Sequence, residues 1–416
     1  MESLNTINHL SDSDPIHECG TAATSLILRR PDDLIQLAYD KIHSYPFSAV
    51  PVCWRRLYTD ASIVKAVLAI KSHLANADGK AIEDDEWVTD VVKTLDMALI
   101  MTGAPLRESM IEELITALQT HIEPERPSKR QRVEDSFPVS DFSAPELRFS
   151  IPRRSVTSMS EFEKHIQDPT PLLFQDALTH WPALHERPWK SPAYLMGKTF
   201  GGRRLIPVEI GRSYTDEGWG QSIIAFKEFM QRYLLGERQS EKTGYLAQHD
   251  LFSQIPSLRN DISIPDYCYT SPPPPPLGTP LANKEIPQLE EPLLNAWFGP
   301  AGTISPLHTD PYHNILCQVV GKKYVRLYRP QESEKLYPRG VEEGGIDMGN
   351  TSQVDVEAME QHMEQEVGAD SDFPLFRKAP FVETILSEGE CLYIPAGWWH
   401  YVRSLTVSFS VSFWWN

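Results

Sequence analysis

The chain has no C-x-x-C pair: its five cysteines, Cys19, Cys53, Cys268, Cys317 and Cys391, are scattered along 416 residues. That argues against a cysteine zinc site and against a disulfide framework, and it points to a reducing intracellular compartment. No run of about 18 uncharged apolar residues occurs, so no membrane span is expected. Met1 to Pro15 lacks the basic start and apolar core of a secretory signal. Positive charge is scarce as well, and the formal net charge is -18. A chain this acidic repels nucleic acid and draws basic peptides, although the same charge also serves simple solubility. No direct nucleic-acid binding is expected, and a protein or peptide substrate should be basic.

What is present divides into two parts. The length and a 41% apolar content suit two globular domains. From Pro31 to Ile122 the apolar residues recur at helical spacing. Leu34, Ile35, Leu37, Ala38 and Ile42 follow Asp32-Asp33, which suit a helix start. Ser62 to Leu74 offers Ile63, Val67, Ile70 and Leu74, and Trp87 to Met101 offers Val88, Val91, Val92, Leu95 and Leu99. Pro105 is expected in the first turn of a further helix carrying Met110, Ile111, Leu114 and Leu118. These helices have no catalytic spacing, so residues 1–122 read as a helical interaction or scaffold domain through which protein partners could bind.

Residues 123–145 break the pattern and read as a flexible basic linker. Lys129-Arg130-Gln131-Arg132 within it resembles a short nuclear-import signal, which places the protein in the nucleus, with the cytoplasm as a second compartment. Residues 146–416 alternate aromatic and β-branched segments with Gly, Pro and Asn turns, as an all-β domain with helical additions does. Ser160 to Ile166 and Ser222 to Leu235 read as its helices. Two insertions interrupt it. Residues 271–283 hold five consecutive prolines, Pro272 to Pro276, and read as an extended, poorly packed loop. Residues 341–372 hold ten Asp/Glu and no Lys or Arg, and read as a solvated excursion, partly helical around Val356 to Val367. Both look like decoration, although an acidic loop near a site could attract a basic substrate.

Chemistry concentrates in the β domain. In a strand, residues i and i+2 share a face, so His308 and Asp310 of His308-Thr-Asp310 can meet one ion. His400 closes the segment Pro395-Ala-Gly-Trp-Trp-His400. Two imidazoles and one carboxylate fill one face of an octahedral Fe(II) and leave positions for a 2-oxo acid and O2. H-x-D alone is a weak signal, but a second feature supports it. In Lys322-Lys323-Tyr324-Val325-Arg326-Leu327-Tyr328, Lys323 shares the apolar face with Val325 and Leu327. An inward lysine needs an anionic partner, which the distal carboxylate of 2-oxoglutarate would supply. Cys317 and Cys391 sit in apolar strands and read as buried, inert thiols.

The H-x-D, the following Gly321-Lys-Lys-Tyr324 and the Pro395-Ala-Gly-Trp-Trp-His400 resemble the Jumonji-C group of 2-oxoglutarate oxygenases. The likeness runs from about Glu146 to the end of the chain. Arg212-Ser-Tyr-Thr-Asp-Glu, Gly244-Tyr-Leu-Ala-Gln-His249, Asp261-Ile-Ser-Ile-Pro-Asp-Tyr267 and Ser408-Phe-Ser-Val-Ser-Phe-Trp-Trp415 narrow it. They resemble the branch described both as protein arginyl hydroxylase and as lysine demethylase eight, whose members also carry a helical N-terminal region. The resemblance implies an α+β fold: a jelly roll, or double-stranded β-helix, preceded by an all-α domain. It further implies that His308, Asp310 and His400 hold Fe(II), with 2-oxoglutarate as cosubstrate and O2 as oxidant. Lys323 would take the distal carboxylate of 2-oxoglutarate, helped by Tyr245 and Ser305; Asn314 would contact the cosubstrate near the metal, and Trp414 would wall the pocket. On the terminal strand Ser408, Ser410, Ser412 and Trp414 share one face, and Val407, Phe409, Val411 and Phe413 the other. The pattern leaves open whether the serines face a cofactor or solvent.

Substrate recognition is implied at Glu209, a carboxylate suited to a guanidinium, and at Tyr214, Trp219 and Trp297, aromatics that could flank it. A rim charge and ordinary packing are the alternatives for these four. H-x-D in place of H-x-E, together with Glu209, favours hydroxylation of an arginine side chain. N-methyl-lysine (histone) demethylation, or cleavage of arginine-methylated tails, is the rival within the enzyme class. A non-catalytic chromatin scaffold is the rival outside it.

Overall fold

In the computed structural model of the chain, residues 7, 11–46, 49–76, 86–122, 136–138, 144–216, 218–236, 242–342, 345–364 and 372–416 are described. The basic cluster Arg126 to Arg132 lies outside them.

The N-terminal part is helical, as the spacing predicts. Its longer helices are Pro31–Ile42, Val52–Asn76, Glu86–Thr102 and Glu108–His121. Their apolar stripes, among them Leu34, Ala38, Leu57, Ala61, Val64, Val91, Leu95, Ile111 and Ile115, make one core. Pro105 does not open the last of these helices. It lies in the turn before it, where Ala104 and Leu106 adopt positive φ and Arg107 is the N-cap.

The remainder is a jelly roll of two sheets. The larger contains, in spatial order, β1 (Arg153–Ser155), β2 (Leu172–Gln175), β11 (Cys391–Ile394), β8 (His313–Val320), β13 (Ser408–Trp415), β6 (Leu293–Gly299), β5 (Gly244–His249), β3 (Leu205–Ile210) and β4 (Gly220–Ala225). The smaller contains β10 (Phe381–Ser387), β9 (Lys322–Tyr328), β12 (Trp399–Ser404) and β7 (Ile304–His308). All pairs are antiparallel except β1 with β2. The chain passes from β8 to β9, and so between sheets, through Gly321 alone. Gly321 has φ 75°, and a Cβ there would lie 2.0 Å from Val407 O.

Alternation sorts the side chains as the sequence suggests. Val325 and Leu327 meet Leu316, Leu392, Ile394 and Val402 between the sheets, whereas Tyr324 and Tyr328 face outward. On β13, Phe409, Val411 and Phe413 join the large core outside the barrel with Trp189 and Phe298. The three serines are fully buried on the other face. Gln318 bridges Ser408 and Ser410, and Ser412 accepts the Trp297 indole N–H at 2.9 Å. The serine face therefore looks inward. Cys317 and Cys391 pair across β8 and β11 as buried free thiols.

Three local expectations are corrected. Met159–His165 is a helix, with a Ser158/Glu161 capping box, but Ser222 to Ala225 belongs to β4 and the helix begins only at Phe226. Ser222 and the β-branched Ile223 and Ile224 fit a strand paired with β3, and tertiary pairing overrides the helical reading. The acidic insertion is more than decoration: its helix, Val356–Glu364, lays Val356 and Met359 against Tyr324, Tyr328 and Tyr401 on the outer face of the small sheet. The proline segment is half-buried to exposed as far as Leu277, but Leu281 is buried beneath the turn at Gly397.

Candidate active site

His308 ends β7 and His400 lies on β12, directly opposite in register. His308 and Ser305 lie three residues apart while their partners His400 and Val402 lie two apart, so a bulge brings His308 and Ser305 onto one inner face. Strand alternation does not place Asp310. It lies beyond the end of β7 in the following loop, whose Asp310 carbonyl accepts the Gly397 N–H at 2.9 Å. Gly397 has φ 74°. A Gly397→Ala change there is expected to cost about 1–2 kcal/mol and to weaken metal binding, read by thermal melting and metal titration. Its Cβ would also press on Leu281 Cδ1 at 2.8 Å.

Ligand atoms of His308, Asp310 and His400 all lie within 4.8 Å of one another. His308 Nε2 is 4.0 Å and His400 Nε2 3.5 Å from the Asp310 carboxylate. His308 Nδ1 bonds Pro306 O at 2.7 Å, and His400 Nδ1 bonds Trp398 O at 3.0 Å. A carbonyl only accepts, so each Nδ1 carries the proton and each Nε2 presents its lone pair to the cluster. Burial and the neighbouring imidazole push His308 down to about 4, keeping it neutral. Burial works to raise the Asp310 carboxyl, but the two imidazoles beside it, His400 foremost, outweigh it and hold the group below its ordinary value.

The same cavity is lined by Tyr245, Trp297, Ser305, Asn314 and Lys323, with Leu316, Ile394 and Val402 as its apolar wall. The three apolar residues were not foreseen; Leu316 could have been found two residues after Asn314 on one strand face. Lys323 is 1% exposed and its Nζ meets Tyr245 Oη at 3.2 Å. No carboxylate lies within ion-pair distance of it among the described residues, and burial pulls it down to about 7. Asn314 Oδ1 is buried and has no partner among the described residues.

Trp414 pairs with Asn314 across β13 and β8 and stacks on Tyr312, but it is not among the cavity's lining residues. Glu209, on β3, pairs with Tyr245 on β5. Burial raises its carboxyl, partly offset by the Trp219 indole. Tyr214 sits near enough to Asp310 and Glu209 to feel both charges, burial pushes it up to about 12, and its hydroxyl lies 3.3 Å from Thr351 Oγ1. Thr351 belongs to the acidic insertion, which also bridges to His308 and, through Asp355 and Glu357, holds Arg212. The insertion thus walls the rim beside Tyr214.

A two-sheet jelly roll closed around two imidazoles and a carboxylate, beside a buried lysine with no carboxylate partner among the described residues, fits a cupin-like oxygenase. Residues 158–416 match the cupin-like domain family. The chain is 36% identical over 394 residues to lysine-specific demethylase 8 of Danio rerio, covering 93% of this chain and 87% of that protein. It is 35% identical over 407 residues to lysine-specific demethylase JMJ30 of Arabidopsis thaliana, covering 91% and 84%. Similarity extends, at 25% over 262 residues, to the bifunctional peptidase and (3S)-lysyl hydroxylase JMJD7 of Homo sapiens, covering 59% and 77%. The chain belongs to the Jumonji-C 2-oxoglutarate oxygenases, in the branch of lysine-specific demethylase 8. It is a 2-oxoglutarate dioxygenase, and the non-catalytic alternative falls.

Proposed function

We propose that His308, Asp310 and His400 hold Fe(II), that Lys323 takes the distal carboxylate of 2-oxoglutarate, and that the enzyme hydroxylates an arginine side chain of a protein substrate. The observation that carries the cosubstrate reading is Lys323, a buried lysine that shares a cavity with the His-Asp-His cluster and whose only partner among the described residues is a tyrosine hydroxyl. A cation so placed calls for an anion. Fe(II) with 2-oxoglutarate, when bound, supplies oxidation of an unactivated C–H bond by O2, with succinate and CO2 as by-products.

The protein's part is geometry and exclusion of water. The carbonyls of Pro306 and Trp398 fix both imidazoles with Nε2 toward the metal position. Tyr245 and Ser305 flank Lys323 at the carboxylate end, and the Asn314 amide oxygen, without a partner among the described residues, offers a contact near the metal. Leu316, Ile394 and Val402 keep that space dry. Trp414, behind Asn314, is given a supporting role.

Arginine is favoured because Glu209 is a half-buried carboxylate without an ion-pair partner among the described residues, next to Tyr245 in the sheet. A guanidinium offers it paired donors that a methylated ammonium lacks. Tyr214, Trp219 and Trp297 would flank the alkyl-guanidinium. With Fe(II), 2-oxoglutarate and a panel of arginine and methyl-lysine peptides, mass spectrometry is expected to show one added oxygen on arginine. Loss of a methyl group would instead support demethylation, the reading favoured by the names of the Danio rerio and Arabidopsis thaliana relatives. Those names also support a protein substrate, whose basic character is argued from the net charge of -18, whereas a nuclear location is argued from the Lys129-Arg130-Gln131-Arg132 cluster of the sequence. Glu209→Gln is expected to raise KM for the arginine peptide about 10- to 100-fold while leaving KM for 2-oxoglutarate unchanged, as initial rates would show.

A further inference from the structure

β3 and β5 form a pair that splays. They are in register only at Glu209–Tyr245 and Ile210–Gly244. Continued, that register would set Leu205 opposite His249, but no pairing occurs there. β5 turns to β6 instead, through an irregularity between Leu246 and His249 where Gln248 takes φ 46°.

Two side chains fill the open end. Gln254 Nε2 donates to Leu205 O at 2.8 Å and to Asp96 Oδ1 at 3.0 Å. With Nε2 committed to two oxygens, Gln254 Oε1 faces His249 and accepts its Nε2–H at 2.7 Å. Asp96 comes from the helix Glu86–Thr102, in the other module. It accepts the Leu205 N–H at 2.7 Å and the Arg204 Nε–H at 2.9 Å, while the same guanidinium donates to Gln254 O at 2.6 Å. Asp96, Arg204 and Gln254 are all buried. The missing ladder bonds between the ends of β3 and β5 are thus replaced by a carboxylate from the helical domain and an amide.

We propose that Asp96 is a positioning residue for the active site: with Gln254 it clamps the open end of the β3–β5 pair and so sets Glu209 and Tyr245 at the closed end. The inference rests on the reading of Tyr245 as a cosubstrate contact. It makes the helical domain part of the catalytic unit. A purely structural ion pair would set stability alone.

The test uses the full chain carrying Asp96→Asn, and separately Gln254→Met, which leaves the Asp96–Arg204 pair intact. Amide hydrogen exchange at residues 205–208 and 246–249 of the metal-free protein is expected to quicken about tenfold in both. The Kd for 2-oxoglutarate, measured by calorimetry with Mn(II) as the metal, is expected to rise about 5- to 10-fold, the weight of one net hydrogen bond. Mn(II) affinity itself should stay unchanged, because the His-Asp-His residues lie on β7, the loop after it and β12. Folded variants with a lower melting temperature but wild-type exchange and wild-type cosubstrate affinity would overturn the proposal. Tyr245→Phe separates the two ideas. If it leaves 2-oxoglutarate affinity unchanged, the reading of Tyr245 fails, and the clamp is judged by exchange alone, with unchanged exchange overturning it.

Discussion

Asp310→Ala is expected to abolish turnover and to remove the thermal stabilisation that Mn(II) or Fe(II) gives the wild type. Asp310 is the only carboxylate in the cluster of potential ligands found among the described residues. Its Oδ2 faces His400 at 3.5 Å and its Oδ1 faces His308 at 4.0 Å. Without it two neutral imidazoles remain, and they offer a dication no charge. Losing a group that merely orients a ligand typically costs 10- to 100-fold, so losing the charged ligand should cost more than about 100-fold. The wild type, at a metal concentration of about 100 times Kd, should gain about 2.7 kcal/mol of stability, and the variant none. The metal-free variant should fold, because Asp310 lies in a loop beyond β7 and its backbone bond to Gly397 survives the change. A variant that melts normally, binds Mn(II) like wild type and still turns over would remove Asp310 from the ligand set.

The residues around that loop show what a sequence can and cannot disclose. His308, His400 and Lys323 were legible because chemistry demands an uncommon residue: a histidine closing a strand, a lysine on an apolar face. The route from His308 to Asp310 was not, since alternation fails beyond a strand end, and that end is set by pairing with β12. The inward serines of β13 were ambiguous, because a hydroxyl suits either water or a buried Gln318, and only the barrel decides. Ser222 to Ala225 was misread for a related reason: the strand exists through its partner, β3. Asp96 was invisible. It sits on a helix whose stripe already accounts for Val91, Val92 and Leu95, and its acceptors are filled by Arg204, Leu205 and Gln254, far along the chain. Long-range polar contacts leave no periodic trace.

Lys323→Met should separate stability from function in opposite directions. In the folded, cosubstrate-free protein Lys323 is pulled from 10.5 to about 7 by burial. Between those values the unfolded chain binds the proton and the folded chain does not, so wild-type stability should rise with pH through that window. Below about 7 both states are protonated and the full penalty of the buried charge is present. A tenfold loss of proton affinity is worth about 1.4 kcal/mol, so the methionine variant should be more stable than wild type at and below neutral pH by a few kcal/mol. It should also lack the rise in melting temperature on the alkaline side. The same change removes the charge that a distal carboxylate would meet, and 2-oxoglutarate affinity should fall at least about 100-fold. The wild type carries a further signature. An anion entering beside a lysine that is neutral above about 7 must recharge it, so binding should take up close to one proton near the alkaline end of the enzyme's range. Affinity should then decline as pH rises. Calorimetry in two buffers of different ionisation enthalpy measures that uptake directly. Unchanged affinity in Lys323→Met, or binding without proton uptake in the wild type, would mean that the carboxylate is held elsewhere and that the buried lysine has another purpose.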